Sequence, residues 1–195
     1  MTQKQIAMIK ELEANIKAIA GNAAADTIMN GIKELKPSSN KTKMAKWVKG
    51  AIERLDTVVP EKQRVEIMTV CGQNCAKHNH RAIETIKKRR AKFPSIDAFL
   101  DAEEKTPMAG TKLWRDKDGA VQAYCPKEFS HPMRCYCCLV NGLPMNETIS
   151  STYCQCSRAL VQQMWQAALN QPVTVTLLKS ALSGDTECHF RICFV

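Results

Sequence analysis

Pro172-Val173-Thr174-Val175-Thr176-Leu177-Leu178, followed by the turn Ser183-Gly184-Asp185 and by Cys188-His189-Phe190-Arg191-Ile192-Cys193-Phe194-Val195, decides the fold. Val173, Val175 and Leu177 alternate with less apolar neighbours, the period of a strand with one face buried. The second run is also β-rich, and the turn between them lets the two strands pair antiparallel. Immediately upstream, Ser157 to Asn170 changes period: Leu160, Met164 and Ala168 fall on one stripe at helical spacing. A helix feeding two such strands predicts a helix packed on an antiparallel sheet.

Working outward, Thr111–Arg115 and Ala120–Tyr124 flank Asp116-Lys117-Asp118-Gly119, a hairpin signal that adds two strands. Residues 125–155 carry Pro126, Pro132, Gly142 and Pro144 and read as an irregular, Cys-rich segment. The first hundred residues are helical in pattern. Ile6, Ile9, Leu12 and Ile16 form one stripe; Ile28, Ile32 and Leu35 form another; Met44, Val48, Ile52 and Leu55 form a third within residues 41–58. Pro60 opens a fourth helix, expected to run unbroken to about Ala91, and Ser95 caps a short one holding Ile96, Phe99 and Leu100. The class is therefore α+β: a helical N-terminal half, then a C-terminal helix packed on an antiparallel sheet. Residues 1–105 form the helical region and 106–195 the Cys-rich α+β ligand-binding region, as two regions or as one continuous domain.

The chain has 195 residues, is 45% apolar and 24% charged, and carries a formal charge of +9. That composition excludes a wholly disordered chain. No run approaches the roughly 18 apolar residues of a membrane span, and Met1-Thr2-Gln3-Lys4-Gln5 leads into no signal-peptide core, so the expectation is a cytoplasmic protein with no membrane partner. The positive charge is diffuse except between Lys77 and Lys92. No aromatic residue interleaves with that run before Phe93, so it reads as a solvated helix end and not as a nucleic-acid surface. There is no phosphate-cradling glycine loop, no Gly-x-Ser-x-Gly elbow and no His-Glu-x-x-His, which removes the common nucleotide-enzyme and hydrolase signatures.

Ten cysteines remain to be explained, none in the first 70 residues. In a reducing compartment such density points to metal binding or catalysis before disulfides. Cys71-Gly72-Gln73-Asn74-Cys75 puts two thiols on one helix face, with His78 on the same side. Cys135-Tyr136-Cys137-Cys138 and Cys154-Gln155-Cys156 each hold a Cys-x-Cys unit, whose thiols share a face if the segment is extended. Cys154 and Cys156 also precede a helix, where dipole and free amides lower thiol pKa. Cys188 and Cys193 differ in parity and face opposite sides of the last strand. His131 is a further loop histidine.

Tyr153-Cys154-Gln155-Cys156-Ser157, Trp165, Gln171-Pro172-Val173-Thr174-Val175, Ser180-Ala181-Leu182-Ser183-Gly184-Asp185 and Cys188-His189-Phe190-Arg191-Ile192, with the upstream Cys71-Gly72-Gln73-Asn74-Cys75-Ala76, resemble the group related to L-2-amino-thiazoline-4-carboxylic acid hydrolase. More distantly they resemble the vinyl-reductase-type small-molecule-binding domains. The resemblance covers about the last 45 residues well. It implies an α/β ligand-binding domain whose sheet carries the final hairpin, with a small-molecule pocket near the Cys motifs.

Together these readings give a cytoplasmic Cys-rich protein that binds a metal, a small molecule or both. Cys71, Cys75, Cys154 and Cys156 are the expected metal ligands, with Cys135 and Cys137 in reserve. Zinc is the expected metal and an iron–sulfur cluster the alternative, since both accept four thiolates. The competing reading is a hydrolase acting on a small cyclic amide or thiazoline-type carbon–nitrogen bond, with a cysteine nucleophile or zinc-activated water.

Overall fold

The computed structural model describes residues 1–125 and 135–194. Helix α1 (Gln3–Ala20) starts in a capping box in which the Thr2 hydroxyl accepts from the Gln5 amide and the Gln5 side chain accepts from the Thr2 amide. It stops at Gly21, whose φ of 87° few other residues adopt. Helix α2 (Asn22–Ile28), a short 3₁₀ turn and α3 (Lys41–Val58) follow, α3 capped by Asn40 accepting from the Lys43 amide at 2.8 Å.

The segment after Pro60 is not one helix. It divides into α4 (Glu61–His78) and α5 (His80–Arg90) at Asn79, whose side-chain amide bonds the Cys75 carbonyl at 2.8 Å and whose backbone leaves the helical region. A short polar side chain that satisfies backbone groups locally is what lets the helix break there. Helix α6 (Ile96–Lys105) carries the expected Ser95 cap.

Strands β1 (Thr111–Asp116) and β2 (Gly119–Tyr124) form the hairpin, α7 (Gln155–Leu169) comes next among the described helices and strands, and β3 (Val173–Lys179) and β4 (Cys188–Phe194) complete the sheet. All neighbours pair antiparallel in the order β1-β2-β4-β3. Helix α7 ends at Asn170, the one non-glycine residue with positive φ among those described. The α+β class, with helices mostly N-terminal and a helix against a C-terminal sheet, is thus present. No helix among the described residues is long and apolar enough to cross a membrane.

Two apolar clusters build the core, and neither respects a division near residue 105. The first joins α1–α4 to Leu139, Val140, Leu143, Ile149 and Tyr153; the second joins α5, α6 and α7 to the sheet around Trp165, Phe99 and Phe190. Trp165 is buried and donates its indole N–H to Gln122 on β2 at 2.9 Å, so the largest core side chain leaves no polar group unpaired. Helices α4 and α7 bridge the clusters. They approach so closely at Gly72 that a Cβ there would sit 2.2 Å from the Cys156 carbonyl oxygen. This glycine sets the distance between the helix bearing Cys71 and Cys75 and the helix bearing Cys156.

Candidate functional site

A cavity of about 430 Å³ lies between α1, α4, α7, β4 and the 135–139 turn. Helix α4 contributes Cys71 and Cys75, the turn contributes Cys135, Cys137 and Cys138, α7 contributes Cys156, and β4 contributes Cys188. Four thioethers, from Met8, Met68, Met108 and Met164, complete a lining dominated by sulfur. All ten cysteines are free thiols. Lys4 and Glu11 are the charged side chains at the wall. Lys4 donates to the Asn79 side chain at 3.1 Å, and Glu11 holds His78 at 3.0 Å.

Polar groups are aimed at the sulfurs. The Asn15 amide donates to Cys71 Sγ at 3.3 Å, and the Asn79 amide to Cys75 Sγ at 3.1 Å. Cys137 Sγ lies 3.1 Å from the Tyr153 hydroxyl, the backbone N–H of Cys137 donates to Cys135 Sγ at 3.4 Å, and that of Ala181 to Cys188 Sγ at 3.4 Å. Sulfur is a weak acceptor when protonated. Each of these contacts would strengthen if its sulfur became charged.

Burial dominates the titration of these groups. It pushes Cys71 and Cys75 up to about 11, with Asn15 and Asn79 pulling each back, and it raises Cys135, Cys138 and Cys156 as well. The thiols also feel one another: Cys156 is raised further by Cys137, Cys154, Cys71 and Cys75.

The sequence pairs Cys154 with Cys156 on an extended segment, and here the structure differs. Residues 151–154 turn, α7 begins at Gln155, and Cys154 already has helical dihedrals, so the two side chains diverge. Cys156 opens on the cavity beside Cys71 and Cys75. Cys154 is buried behind it, 2.9 Å from the Ser180 hydroxyl, and does not line the cavity. The helix start does not lower either thiol, because desolvation outweighs the dipole: Cys154 is pushed up to about 12. Cys135 and Cys137 both reach the cavity. His78 is committed to Glu11, and His131 lies outside the described residues. The parity of β4 holds, with Cys188 at the cavity and Cys193, at the opposite parity of the same strand, donating to the Asp118 carbonyl of the β1–β2 turn at 3.3 Å. Among the described residues no three His, Cys, Asp or Glu side chains converge on one point closely enough to hold a single ion.

Sequence reasoning misses Asn15, Tyr153 and Cys138. Asn15 is a polar residue on a helix whose partner face is unknown until α1 meets α4. Asn79 gives no signal either, since the helical pattern runs through it and its role shows only where its side chain meets Cys75. The basic run resolves into separate local pairs: Lys87 with Glu84, Arg89 with buried Glu103, and Arg90 with its own Phe93 carbonyl.

The chain belongs to a family of unknown function, DUF6144, whose model matches residues 3–195. No curated protein matches it.

Proposed function

We propose that this family member is a cytoplasmic metal-binding protein whose metal centre is ligated by thiolates inside the sulfur-lined cavity. The observation that carries the reading is the arrival of thiols at one cavity from separate parts of the chain, with N–H or O–H groups directed at their sulfurs. Such outer hydrogen bonds orient metal ligands and stabilise their charge. The ligand set is Cys71, Cys75, Cys137 and Cys156; Cys154, behind the wall, supports Cys156 without reaching the centre, and Cys135 remains in reserve. Four thiolates is the ligand number of both a zinc site and an iron–sulfur cluster, and a single zinc would require the four sulfurs to close in on one point. Ten free thiols suit a reducing compartment, which favours the cytoplasm.

The hydrolase reading gains less. A cysteine nucleophile works as thiolate, and burial holds Cys154 and Cys156 protonated at neutral pH. A small apolar ligand is the second reading, favoured by the cavity's volume and by its Met, Leu and Tyr walls.

Elemental analysis of protein purified without oxygen tests the proposal. Stoichiometric transition metal is expected, lost in Cys71→Ser and Cys156→Ser and kept in Cys193→Ser. A metal-free protein whose native mass includes an organic ligand, retained in Cys71→Ser, would favour the second reading instead.

A further inference from the structure

We infer that the centre is an iron–sulfur cluster held by Cys71, Cys75, Cys137 and Cys156, and not a single zinc ion; the inference rests on the metal-binding reading above.

Four thiolates on one zinc, at bonds of about 2.3 Å, must bring their sulfurs to within about 4 Å of one another. The described residues contain no trio so converged, yet seven cysteines face one space of about 430 Å³. Thiols arranged around a volume, and not around a point, suit an inorganic core that itself occupies the volume. An iron–sulfur cluster is such a core: its cysteines bind different irons and so stand apart by the breadth of the cluster.

The topology supports the same set. Cys71 and Cys75 come from successive turns of α4, and Cys156 from the first turn of α7 across the Gly72 contact. Cys137 comes from the turn that covers the other side. The rest of the wall is thioether, hydrocarbon and neutral side chains such as Thr111, Tyr124 and Ser157, and Glu11 is held by His78, so the thiols are the soft, ionisable ligands the cavity offers. A thiolate-ligated cluster carries net negative charge, and Lys4, held by Asn79 at the rim, is the cation placed to meet it. Asn15, Asn79 and Tyr153 contact three of the four sulfurs, the kind of hydrogen bonding that sets cluster potential. On assembly each thiol releases its proton as its sulfur–iron bond forms.

The test is anaerobic reconstitution of the full-length chain with ferric and ferrous iron and sulfide, the ferric iron supplying the oxidising equivalents of the oxidised cluster. Expected are iron and acid-labile sulfide in equal amounts, a brown chromophore bleached by dithionite, and loss of both in Cys71→Ser, Cys75→Ser, Cys137→Ser and Cys156→Ser. Cys193→Ser should keep them. Because a ligand variant could lose its cluster by unfolding, Asn15→Leu and Asn79→Leu provide the second arm. Both should assemble the cluster at wild-type stoichiometry with a more negative reduction potential. Stoichiometric zinc with neither iron nor sulfide would overturn the cluster while leaving the metal-binding reading intact. No stoichiometric metal of any kind would overturn both. A chromophore that survives all four ligand substitutions would overturn this ligand set.

Discussion

Replacing Gly72 by alanine tests the geometry on which the site depends. On an exposed helix the change would stabilise by about 1 kcal/mol through helix propensity alone. Here the added Cβ would lie 2.2 Å from the Cys156 carbonyl oxygen and 2.6 Å from the Ala159 Cβ, against a practical limit near 3.0 Å. The obstacles are backbone and a Cβ, neither of which can swing aside, so α4 and α7 must separate by most of an ångström. Overpacking of this kind costs about 1–3 kcal/mol where side chains can yield, and the upper end applies where they cannot. Set against the propensity gain, the net loss is about 2 kcal/mol, which for a chain of this size lowers the melting temperature by about 4–8 °C. Thermal unfolding followed by far-ultraviolet circular dichroism measures it. An unchanged or raised melting temperature would refute the close α4–α7 crossing, and with it the placement of Cys156 beside Cys71 and Cys75.

Other outcomes follow from particular contacts. Arg89→Ala leaves Glu103, which is 5% exposed, without its 2.6 Å partner and should destabilise by about 3–5 kcal/mol, whereas Lys88→Ala should change denaturant stability by less than about 0.5 kcal/mol. Gln122→Leu strands the Trp165 indole N–H and should cost about 1–3 kcal/mol in urea unfolding. Lys112, then His189, pull Glu187 from its usual 4.5 down to about 2. Its contribution is therefore fully present above about pH 4.5 and lost as pH falls towards 2, so the stability gap between wild type and Glu187→Gln should close over that interval. In metal-free protein, with Cys71 at about 11 and Cys154 at about 12, iodoacetamide should modify both slowly at pH 8, with rates rising about tenfold per pH unit. Fast modification of either at neutral pH would reopen the nucleophile reading.

The back half of the fold was legible because its signals are local. The period change from Leu160-Met164-Ala168 to Val173-Val175-Leu177 and the Asp118-Gly119 hairpin turn each specify one element from adjacent residues. The α4–α5 break was not, because Asn79 is an acceptable helix residue until its side chain is seen taking the Cys75 carbonyl. The site was legible by composition and misread in detail. Spacing alone identifies Cys71 and Cys75 as a pair, since both fall on one helix face. Cys154 and Cys156 depend on where α7 begins, and a shift of two residues turned an extended pair into a diverging one. Asn15 meets Cys71 only because α1 packs on α4, a tertiary fact with no trace in the local pattern.

The measurement closest to the central claim is differential alkylation of the anaerobically isolated chain, read by mass spectrometry before and after a strong chelator and acid remove any metal. With alkylation at about pH 10, where a raised thiol ionises in part, the account predicts that Cys71, Cys75, Cys137 and Cys156 are protected together and become reactive together, while Cys193 reacts equally in both states. Release of these four thiols independently of one another, or of Cys154 in place of Cys137, would contradict it.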